Sequence, residues 1–388
     1  MTPGTAEVVG GGFGGLVAAI ALADRGWAVT LHERGEALRS EGYGISIQPN
    51  MTRVFERLGV LDAVLAGGAR CDRRDSIDGR GTVLMSQETP RTTWRIDRHH
   101  IVAILGARAR AAGAVLRLGS TVVGATADGV VETADGGRGP ADLVVAADGV
   151  GSALRERLGL LRRRILHPDG AFRVTIPRLA SEIAEAERRG TPLVEAWADR
   201  RRVLYCPVSR DAFYVLLGCR ATDAAARAAP IDAAEWARSF PALRGLLERV
   251  GAEADWAHSR WAQYQTIYLK RWSAGRVAVL GDAAHAMPPY LGQGAGLAMM
   301  NALGLAVAIE AAPDLPAALA AWERRERPLT EHTQRWTRIY GATVAVPGPL
   351  KSLAVRLERH VPWIAAQYSR TARHVPTGCG GEAAGRPA

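Results

Sequence analysis

The chain has 388 residues, of which 48% are hydrophobic and 23% are charged. These proportions are typical of a folded globular protein and exclude a disordered or fibrous chain, and the length suffices for two or three structural regions. The formal net charge of +10 comes from 49 basic and 39 acidic residues, but the arginines are spread along the chain without a basic block, so the sequence does not indicate nucleic-acid binding.

The cysteines and the apolar segments do not indicate a metal site or a membrane span. The four cysteines form no CxxC pair and no metal-ligand spacing. The first residues lack the basic segment and apolar stretch of a signal peptide, so we expect a cytoplasmic protein. The apolar run from Ala295 to Ala312 contains Asn301 and Glu310 and is short for a membrane span. We therefore expect a buried helix there and no membrane partner.

Three apolar strands, each closed by a turn, predict a nucleotide-binding domain that is assembled from separated segments. The first unit, Glu7 to Arg34, reads as a strand, a glycine cluster, a helix with one apolar face and a second strand. The second strand-and-turn unit is Ala141 to Ala147, closed by Asp148-Gly149. The third is Arg276 to Leu280, closed by Gly281-Asp282.

The segments between and after these units have a different pattern. Arg202 to Pro207 and Phe213 to Cys219 are typical of strands in an antiparallel sheet. After Thr330 the sequence predicts helices interrupted by Pro347 and Pro349, and the last dozen residues are rich in glycine and proline, which predicts a disordered tail.

The first chemical motif is the GxGxxG segment from Gly10 to Gly15, which follows a strand and begins a helix. Gly10 permits a tight turn, Gly12 allows the backbone to approach a pyrophosphate, and the helix N-terminus supplies N–H donors. Glu33 ends the second strand, where a carboxylate accepts a hydrogen bond from an adenosine ribose. This motif predicts dinucleotide binding and leaves FAD and NAD undistinguished. The residues predicted to contact the cofactor are Gly10, Gly12, Phe13, Gly14, Gly15, Glu33 and Arg34.

Two further motifs make that distinction. The segments AADGVGSALR, which contains Asp148, and GRVAVLGDAAHAMPPYLGQGAGLAMMNA, from Gly275 to Ala302, resemble the additional fingerprints of the single-component flavoprotein monooxygenases, the p-hydroxybenzoate hydroxylase superfamily. The resemblance implies that FAD is the cofactor, that Asp282 contacts its ribitol, and that the loop from Pro288 to Gly294 runs along the isoalloxazine ring.

The same resemblance implies further flavin contacts. Arg98, in WRIDRHHIVAIL, matches an arginine that reaches FAD in this superfamily, and Arg39 to Ile47 resembles its flavin-side segment; either arginine could instead be a solvated surface charge. The remaining residues predicted to contact FAD are Arg98, Asp148, Asp282, Gly292, Gly294 and Ala295.

Other stretches, including AFRVTIPR and RRVLYCPVSRDAFYVLLG, are similar to the pyridine-carboxylate oxygenases of this superfamily. The similarity implies that Arg173, Arg202, Tyr214 and Tyr264 bind substrate, and a guanidinium suits a carboxylate. Tyr214, Tyr264 and the flavin-loop residue Pro288 are the predicted catalytic residues. The alternatives are that Arg202 belongs to a solvated basic edge and that both tyrosines are half-buried sheet residues. The segment from Cys71 to Asp75 departs from that subgroup, which leaves the substrate open.

The predicted fold is therefore a mixed α/β (α+β) architecture. A Rossmann-like FAD-binding domain comprises residues 1–70, 95–170 and 265–340, and an antiparallel-sheet substrate-binding domain comprises residues 71–94 and 171–264. A C-terminal helical segment covers residues 341–375, and the disordered tail covers residues 376–388.

The predicted function is that of an FAD-dependent monooxygenase that uses NAD(P)H and O2. In this superfamily a hydroperoxide at flavin C4a transfers oxygen to an aromatic ring. We expect a small aromatic or heteroaromatic substrate that carries a carboxylate, with ring opening as a further possibility. The alternatives are the same chemistry on a neutral, larger natural-product ring, a non-catalytic flavin-binding redox sensor, a flavin halogenase, and a dehydrogenase that uses NAD alone. The two lysines lie outside the place expected for a halogenase.

Overall fold

The structure, a computed structural model, describes residues 2–38, 44–88, 93–344 and 361–380. The α-helices of these ranges are α1 (Phe13–Ala23), α2 (Pro49–Arg57), α3 (Leu61–Ala66), α4 (Arg98–Ala111), α5 (Ala153–Arg157), α6 (Ala180–Arg189), α7 (Ala233–Ser239), α8 (Arg244–Glu253), α9 (Asp282–His285), α10 (Gly294–Ala311), α11 (Leu315–Val344) and α12 (Pro362–Arg373). Short 3-10 helices cover Ala225–Arg227, Pro241–Leu243 and Pro289–Leu291.

The strands form four sheets. They are β1 (Thr5–Val9), β2 (Ala28–His32), β3 (Gly44–Ile47), β4 (Ala69–Arg70), β5 (Arg73–Asp78), β6 (Val83–Glu88), β7 (Trp94–Asp97), β8 (Val115–Arg117), β9 (Val122–Ala125), β10 (Val130–Thr133), β11 (Arg138–Pro140), β12 (Leu143–Ala146), β13 (Leu161–Pro177), β14 (Pro192–Ala198), β15 (Arg201–Pro207), β16 (Ala212–Arg220), β17 (Ala262–Leu269), β18 (Ser273–Ala274) and β19 (Val277–Val279). Two small three-stranded sheets have the orders β11-β10-β9 and β3-β7-β4.

The six-stranded sheet has the order β18-β19-β12-β1-β2-β8. Strand β1 pairs in parallel with β2 and with β12, and β12 pairs in parallel with β19. These strands are almost continuously apolar, as in Leu143 to Ala146, because helices or other elements cover both faces of a parallel sheet. The three strand-and-turn units of the sequence therefore lie side by side, which confirms assembly from separated segments.

Helix α1 is apolar on nearly all sides, and ten of its residues are buried. It lies between the six-stranded sheet and helices α4 and α10, so it has no solvent-facing stripe. Helix α10 is the only helix of the described ranges that is long and apolar enough to cross a membrane, and 72% of its apolar window is buried within the protein. The buried helix expected between Ala295 and Ala312 is therefore present.

The seven-stranded sheet has the order β17-β13-β16-β15-β14-β5-β6. Neighbouring strands are antiparallel except β5 and β14, which run parallel. One face packs against α7 and α8 through a core that includes Phe172, Val203, Val215, Leu217, Trp236, Phe240 and Leu247. The opposite face carries a smaller cluster around Cys71, Cys206, Tyr214, Leu216 and Tyr264, which packs against Tyr290.

The strands of this sheet cross two of the predicted domain boundaries. Residue 170 lies inside β13, which is continuous over 17 residues, and residue 264 lies inside β17. Strands β13 and β17 pair with each other. A domain boundary at residue 170 or 264 therefore divides a hydrogen-bonded strand. The division into two domains stays a prediction.

The C-terminal region packs against helices of the cofactor-binding half. Helix α11 contacts α10, and α12 contacts both α11 and α2. The predicted disordered tail is wrong for residues 376–380, because Thr377 donates a 2.7 Å hydrogen bond to Glu326 and Cys379 packs against the main core. The remainder of the predicted tail, residues 381–388, lies outside the described residues.

The apolar layer between the seven-stranded sheet and helices α7 and α8 is where we expect substitutions to lower the free energy of unfolding most. Trp236 is fully buried and stacks on Phe240 with ring centroids 6.2 Å apart. We expect Trp236→Ala to lower the free energy of unfolding by about 3–5 kcal/mol, because it leaves a large cavity. Trp363→Ala is the matched control, since this ring is 62% exposed, and should cost about 1 kcal/mol or less. Urea unfolding followed by circular dichroism measures both; equal losses would contradict the assignment of the core.

Candidate active site

The glycine loop lies where β1 meets the N-terminus of α1. Gly10 has φ +107°, and a Cβ atom there would lie 2.3 Å from the carbonyl oxygen of Ala147, so a side chain would separate β1 from β12. Gly12 is the N-cap of α1, and a Cβ atom there would meet nothing within 4 Å. The backbone is therefore open beside the N–H groups of the first helical turn, which Phe13, Gly14 and Gly15 form. This geometry suits a pyrophosphate.

Glu33 holds the glycine loop in place. Its carboxylate accepts hydrogen bonds from the N–H of Gly11 at 2.7 Å and from the N–H of Gly35 at 3.0 Å. Each carboxylate oxygen can accept further hydrogen bonds, so a ribose hydroxyl can still bind. Arg34, the next residue, is exposed.

The other two acidic residues of the motifs lie at the same edge of the sheet. Asp148 follows β12, and its Oδ1 atom is buried without a hydrogen-bond partner in the described part of the chain. Asp282 follows β19 at the start of α9, after Gly281 with φ +65°. It is exposed, as a side chain that contacts a ligand requires. Arg98 begins α4, with its guanidinium 5.0 Å from the ring centroid of Phe13.

Polar side chains fix the loop from Ala286 to Gln293, which we call the flavin loop, on two sides. On the α11 side, Thr337 donates to the carbonyl of Pro288 at 2.9 Å and Gln334 donates to the carbonyl of Ala286 at 3.3 Å. At the start of α2, Gln48 donates to the carbonyl of Leu291 at 3.2 Å. These three hydrogen bonds all hold the loop at its backbone carbonyls.

The same loop leads into α10. Gln293, which is buried, donates to Gln48 at 2.6 Å and accepts from Asn50 at 3.0 Å. Gly292 has φ +64°, and Gly294 and Ala295 form the first turn of α10. A Cβ atom at Gly294 would meet nothing within 4 Å. The N-terminus of α10 thus presents open backbone to a ligand.

His285, behind this loop, is part of a buried polar network. Its Nε2 atom lies 2.9 Å from the amide nitrogen of Asn301, which also bonds Thr330 at 3.2 Å. The indole of Trp322 donates to the backbone carbonyl of Asn301 at 2.9 Å. Burial lowers the pKa of His285 to about 4, so the imidazole is neutral at physiological pH. These contacts indicate a structural role for this histidine.

The inner face of the seven-stranded sheet carries the predicted substrate residues. Tyr214 and Tyr264 are both buried, with 7% of each residue exposed. Tyr264 lies edge-on to Tyr290 of the flavin loop, with ring centroids 5.7 Å apart. The guanidinium of Arg173 lies 5.7 Å from the Tyr264 ring. Burial raises the pKa of Tyr214 and of Tyr264, so both hydroxyls stay protonated at neutral pH and can donate hydrogen bonds.

Arg202 is buried and paired with a carboxylate of the protein, and its role in substrate binding stays a prediction. It is buried, so it does not belong to a solvated basic edge, and its Nη2 atom lies 2.6 Å from Glu195. Arg74 binds the other oxygen of the same carboxylate at 2.5 Å and the hydroxyl of Tyr340 at 3.0 Å. Burial alone lowers the pKa of Arg202, but Glu195 and three nearby tyrosines together offset this and hold that pKa above its ordinary value; the tyrosines are Tyr264, Tyr340 and Tyr290.

A cleft lies between the sheet and the flavin loop, and Arg202, Tyr264 and Tyr290 are among the residues that line it. Part of this cleft is open to solvent. The residues that line it are Asp169, Gly170, Trp197, Arg200, Arg202, Gly218, Cys219, Arg220, Tyr264 and Tyr290.

The structure brings most of the predicted residues into two groups. The cofactor residues lie at the carboxyl edge of the six-stranded sheet and along the loop to α10, and the substrate residues lie on the facing sheet; Arg39 lies outside the described residues. Their contacts with cofactor and substrate stay predictions. The sequence analysis did not identify Glu195 or Arg74. Glu195 is the one acidic residue in the apolar strand sequence LVEAWA, which was a signal that its side chain faces away from the apolar core.

Comparison with known proteins identifies the family. Residues 4–334 match the family described as "FAD binding domain". The 2-heptyl-3-hydroxy-4(1H)-quinolone synthase of Mycobacteroides abscessus is 40% identical over 373 residues, which cover 90% of this chain and 94% of that protein. A 3-amino-4-hydroxybenzoate 2-monooxygenase of Streptomyces platensis is 30% identical over 371 residues, which cover 90% and 91%. The chain belongs to the FAD-dependent aromatic hydroxylase family.

A solved structure supports the same assignment. The tetrameric form of 2-methyl-3-hydroxypyridine-5-carboxylic acid oxygenase superposes with a TM-score of 0.85 at 34% identity, over 97% of this chain and 98% of that one. The residues of this hydroxylase also fit FAD, because Gly12 and Gly294 leave open backbone at two helix N-termini and Asp148 has a buried oxygen without a partner in the described residues. FAD is therefore the cofactor of this enzyme.

The open backbone at Gly12 leads to a test of cofactor binding. We expect Gly12→Val to fold normally, because its φ of −80° suits a side chain and no protein atom lies in the way, yet to bind FAD at least about tenfold more weakly, since the side chain would fill the pyrophosphate site. Gly139→Val, also unobstructed, is the matched control. Flavin fluorescence titration of the apoproteins measures affinity. Unchanged affinity in Gly12→Val would show that the loop does not bind the cofactor.

His285 predicts a pH dependence of stability. Its folded pKa of about 4 lies below the ordinary 6.5, so below pH 6.5 the unfolded chain binds a proton that the folded chain does not. This contribution is fully present above pH 6.5 and is lost as the pH falls towards 4, by about 3 kcal/mol in total. We expect His285→Gln to flatten the dependence of unfolding free energy over this range, and His99→Gln, at an exposed site, to serve as the control that keeps the wild-type dependence. Parallel curves for wild type and His285→Gln would contradict the assignment.

Proposed function

We propose that this FAD-dependent monooxygenase hydroxylates a heteroaromatic ring of the pyridine or 4-quinolone class, with NAD(P)H as the reductant. The ring carries a hydroxyl or keto oxygen as a substituent. The observation that carries the proposal is the set of buried donors, Arg202, Tyr214 and Tyr264, which face the flavin loop from one sheet. The relatives named for a 4-quinolone and for a hydroxypyridine substrate support this ring class.

The tyrosines would orient and activate the ring. Electrophilic aromatic hydroxylation is favoured when a ring hydroxyl or keto group carries negative charge, and a neutral hydroxyl donor stabilises that charge. The raised pKa values of Tyr214 and Tyr264 keep both protons in place. These residues would therefore donate to the ring oxygen rather than remove a proton from it.

The loop from Ala286 to Gln293 would set the distance between ring and cofactor. When bound, FAD takes a hydride from NAD(P)H and activates O2 for transfer of one oxygen atom. The hydrogen bond from Thr337 fixes the Pro288 carbonyl, and Tyr290 closes against Tyr264. Apolar residues beside the tyrosines, among them Leu204 and Leu216, would limit the access of water to the reacting oxygen.

An isotope experiment tests the proposed reaction. The holoenzyme, given NAD(P)H, 18O2 and 2-methyl-4(1H)-quinolone or a 3-hydroxypyridine, should form a product that gains one labelled oxygen, and the ring should stimulate NAD(P)H oxidation. Mass spectrometry also separates simple hydroxylation from ring opening. A flavin-binding redox sensor would show no ring-stimulated NAD(P)H oxidation and no labelled product, which would overturn the proposal.

Tyr264→Phe tests the role of the donors in this reaction. We expect the yield of hydroxylated product per NAD(P)H to fall about tenfold or more, since a hydrogen bond to a charged group is worth ~1.5–3 kcal/mol. Tyr268→Phe, on the same strand with its hydroxyl bonded to Arg338, is the control and should keep the wild-type yield. Equal yields in both variants would contradict a role for Tyr264.

A further inference from the structure

We infer that Glu195 determines the charge class of the substrate: by pairing with Arg202 and Arg74, it makes the cleft select a neutral ring with a keto oxygen over a ring that carries a carboxylate. This inference rests on the proposed function and refines its substrate. It also replaces the carboxylate expected from the sequence.

Glu195 lies between two guanidinium groups. Its side chain has no exposed surface, and its two oxygens lie 2.6 Å from Nη2 of Arg202 and 2.5 Å from Nη2 of Arg74. A carboxylate buried in this way keeps its charge through such partners. Arg202 therefore already holds an anion that belongs to the protein, and that anion cannot leave the site.

The pairing changes what Arg202 can offer to a ligand. Trp197 and Tyr290 lie 4.9 Å and 5.7 Å from the Arg202 guanidinium. Its Nε atom is buried without a hydrogen-bond partner in the described ranges, and the residue lines the cleft. The two-pronged contact that a carboxylate prefers needs two N–H groups on one edge of the guanidinium. The buried Nε–H can donate to a keto oxygen, which needs only one donor.

A substrate carboxylate next to Arg202 would also lie close to Glu195. Two carboxylates in a buried site repel one another strongly, because the surroundings screen their charges poorly. Of the other charged groups at the cleft, Asp169 lies 3.9 Å from Arg220 and so offsets part of its charge, and Arg200 is exposed. Arg173 lies against Tyr264, where it can stabilise negative charge that develops on a ring oxygen.

Arg74 belongs to the segment from Cys71 to Asp75. This segment forms the start of β5, which pairs in parallel with β14 and so places Arg74 opposite Leu193, two residues from Glu195. Arg74 therefore reaches Glu195 on the same sheet face as the substrate residues.

Two ligands that share one ring system test the inference. In 4-oxo-1,4-dihydroquinoline-2-carboxylate, a carboxylate replaces the methyl group of 2-methyl-4(1H)-quinolone. Calorimetric titration of oxidised holoenzyme without NAD(P)H measures the binding of each ligand and does not depend on turnover. We expect wild type to bind the methyl compound at least tenfold more tightly than the carboxylate.

Three variants then separate the charge of the cluster from the pairing of Arg202. Glu195→Gln leaves two arginines without their anion and should lower the preference for the neutral ligand at least tenfold. The double variant Arg74→Gln/Glu195→Gln has the wild-type net charge but releases Arg202, and it should also lower the preference. Arg74→Gln keeps the Glu195–Arg202 pair and should keep or increase the preference. Glu310→Gln, at an exposed ion pair with Arg25, is the matched control and should behave as wild type.

Each outcome decides the inference. The inference is overturned if the wild type binds the carboxylate more tightly or binds neither ligand. It is also overturned if Glu195→Gln and the double variant both hold wild-type amounts of FAD and both keep the wild-type preference. If Glu195→Gln loses FAD or its circular dichroism spectrum, the double variant decides, because it lacks the two facing unpaired arginines. Labelled-oxygen incorporation into another heteroaromatic ring would still support the hydroxylase proposal after such a failure, so the two failures are distinguishable.

Discussion

The close approach of two strand ends at Gly10 is the constraint on which the cofactor site depends. A side chain at Gly10 would collide with the carbonyl of Ala147, so only glycine lets β1 lie beside β12 at the point where both strands end. Strand β19 then pairs with β12 on its other side. Because parallel strands present their carboxyl ends at one edge, the glycine loop, Asp148 and Asp282 come together there although they are far apart in sequence.

Side chains alternate between the two faces of the seven-stranded sheet, so the two faces have different roles. Val203 and Val215 face α7 and α8 and form an apolar core, whereas Arg202 and Tyr214 point to the opposite face. The apolar face holds the sheet in place, so the other face can carry buried polar groups that would not by themselves stabilise a fold. The cost of burying them is limited by pairing, as between Glu195 and Arg202.

Local signals predicted the cofactor region well, and long-range pairing limited the rest. The glycine loop, Glu33 and the strand before Asp282 each follow from neighbouring residues, so the sequence was sufficient to place them. The pairing of Glu195 with Arg202 depends on the register of β14 against β15, and Arg74 comes from a strand more than 100 residues earlier. No local pattern specifies that register, which is why Arg202 was expected to be available for a carboxylate. The strand crossings at residues 170 and 264 escaped prediction for the same reason.

A monooxygenase cleft must exclude water and still offer hydrogen bonds, and these needs conflict because buried polar groups lose hydration. Here the conflict is reduced in two ways. Tyr214 and Tyr264 are buried as neutral donors, since burial raises their pKa values, and Arg202 is buried with its counter-charge supplied by the protein. The protein itself therefore neutralises part of the positive charge of Arg74 and Arg202. A ligand that brings a keto oxygen completes the hydrogen bonds of such a site, whereas a ligand that brings a full negative charge must compete with Glu195 for the same guanidinium.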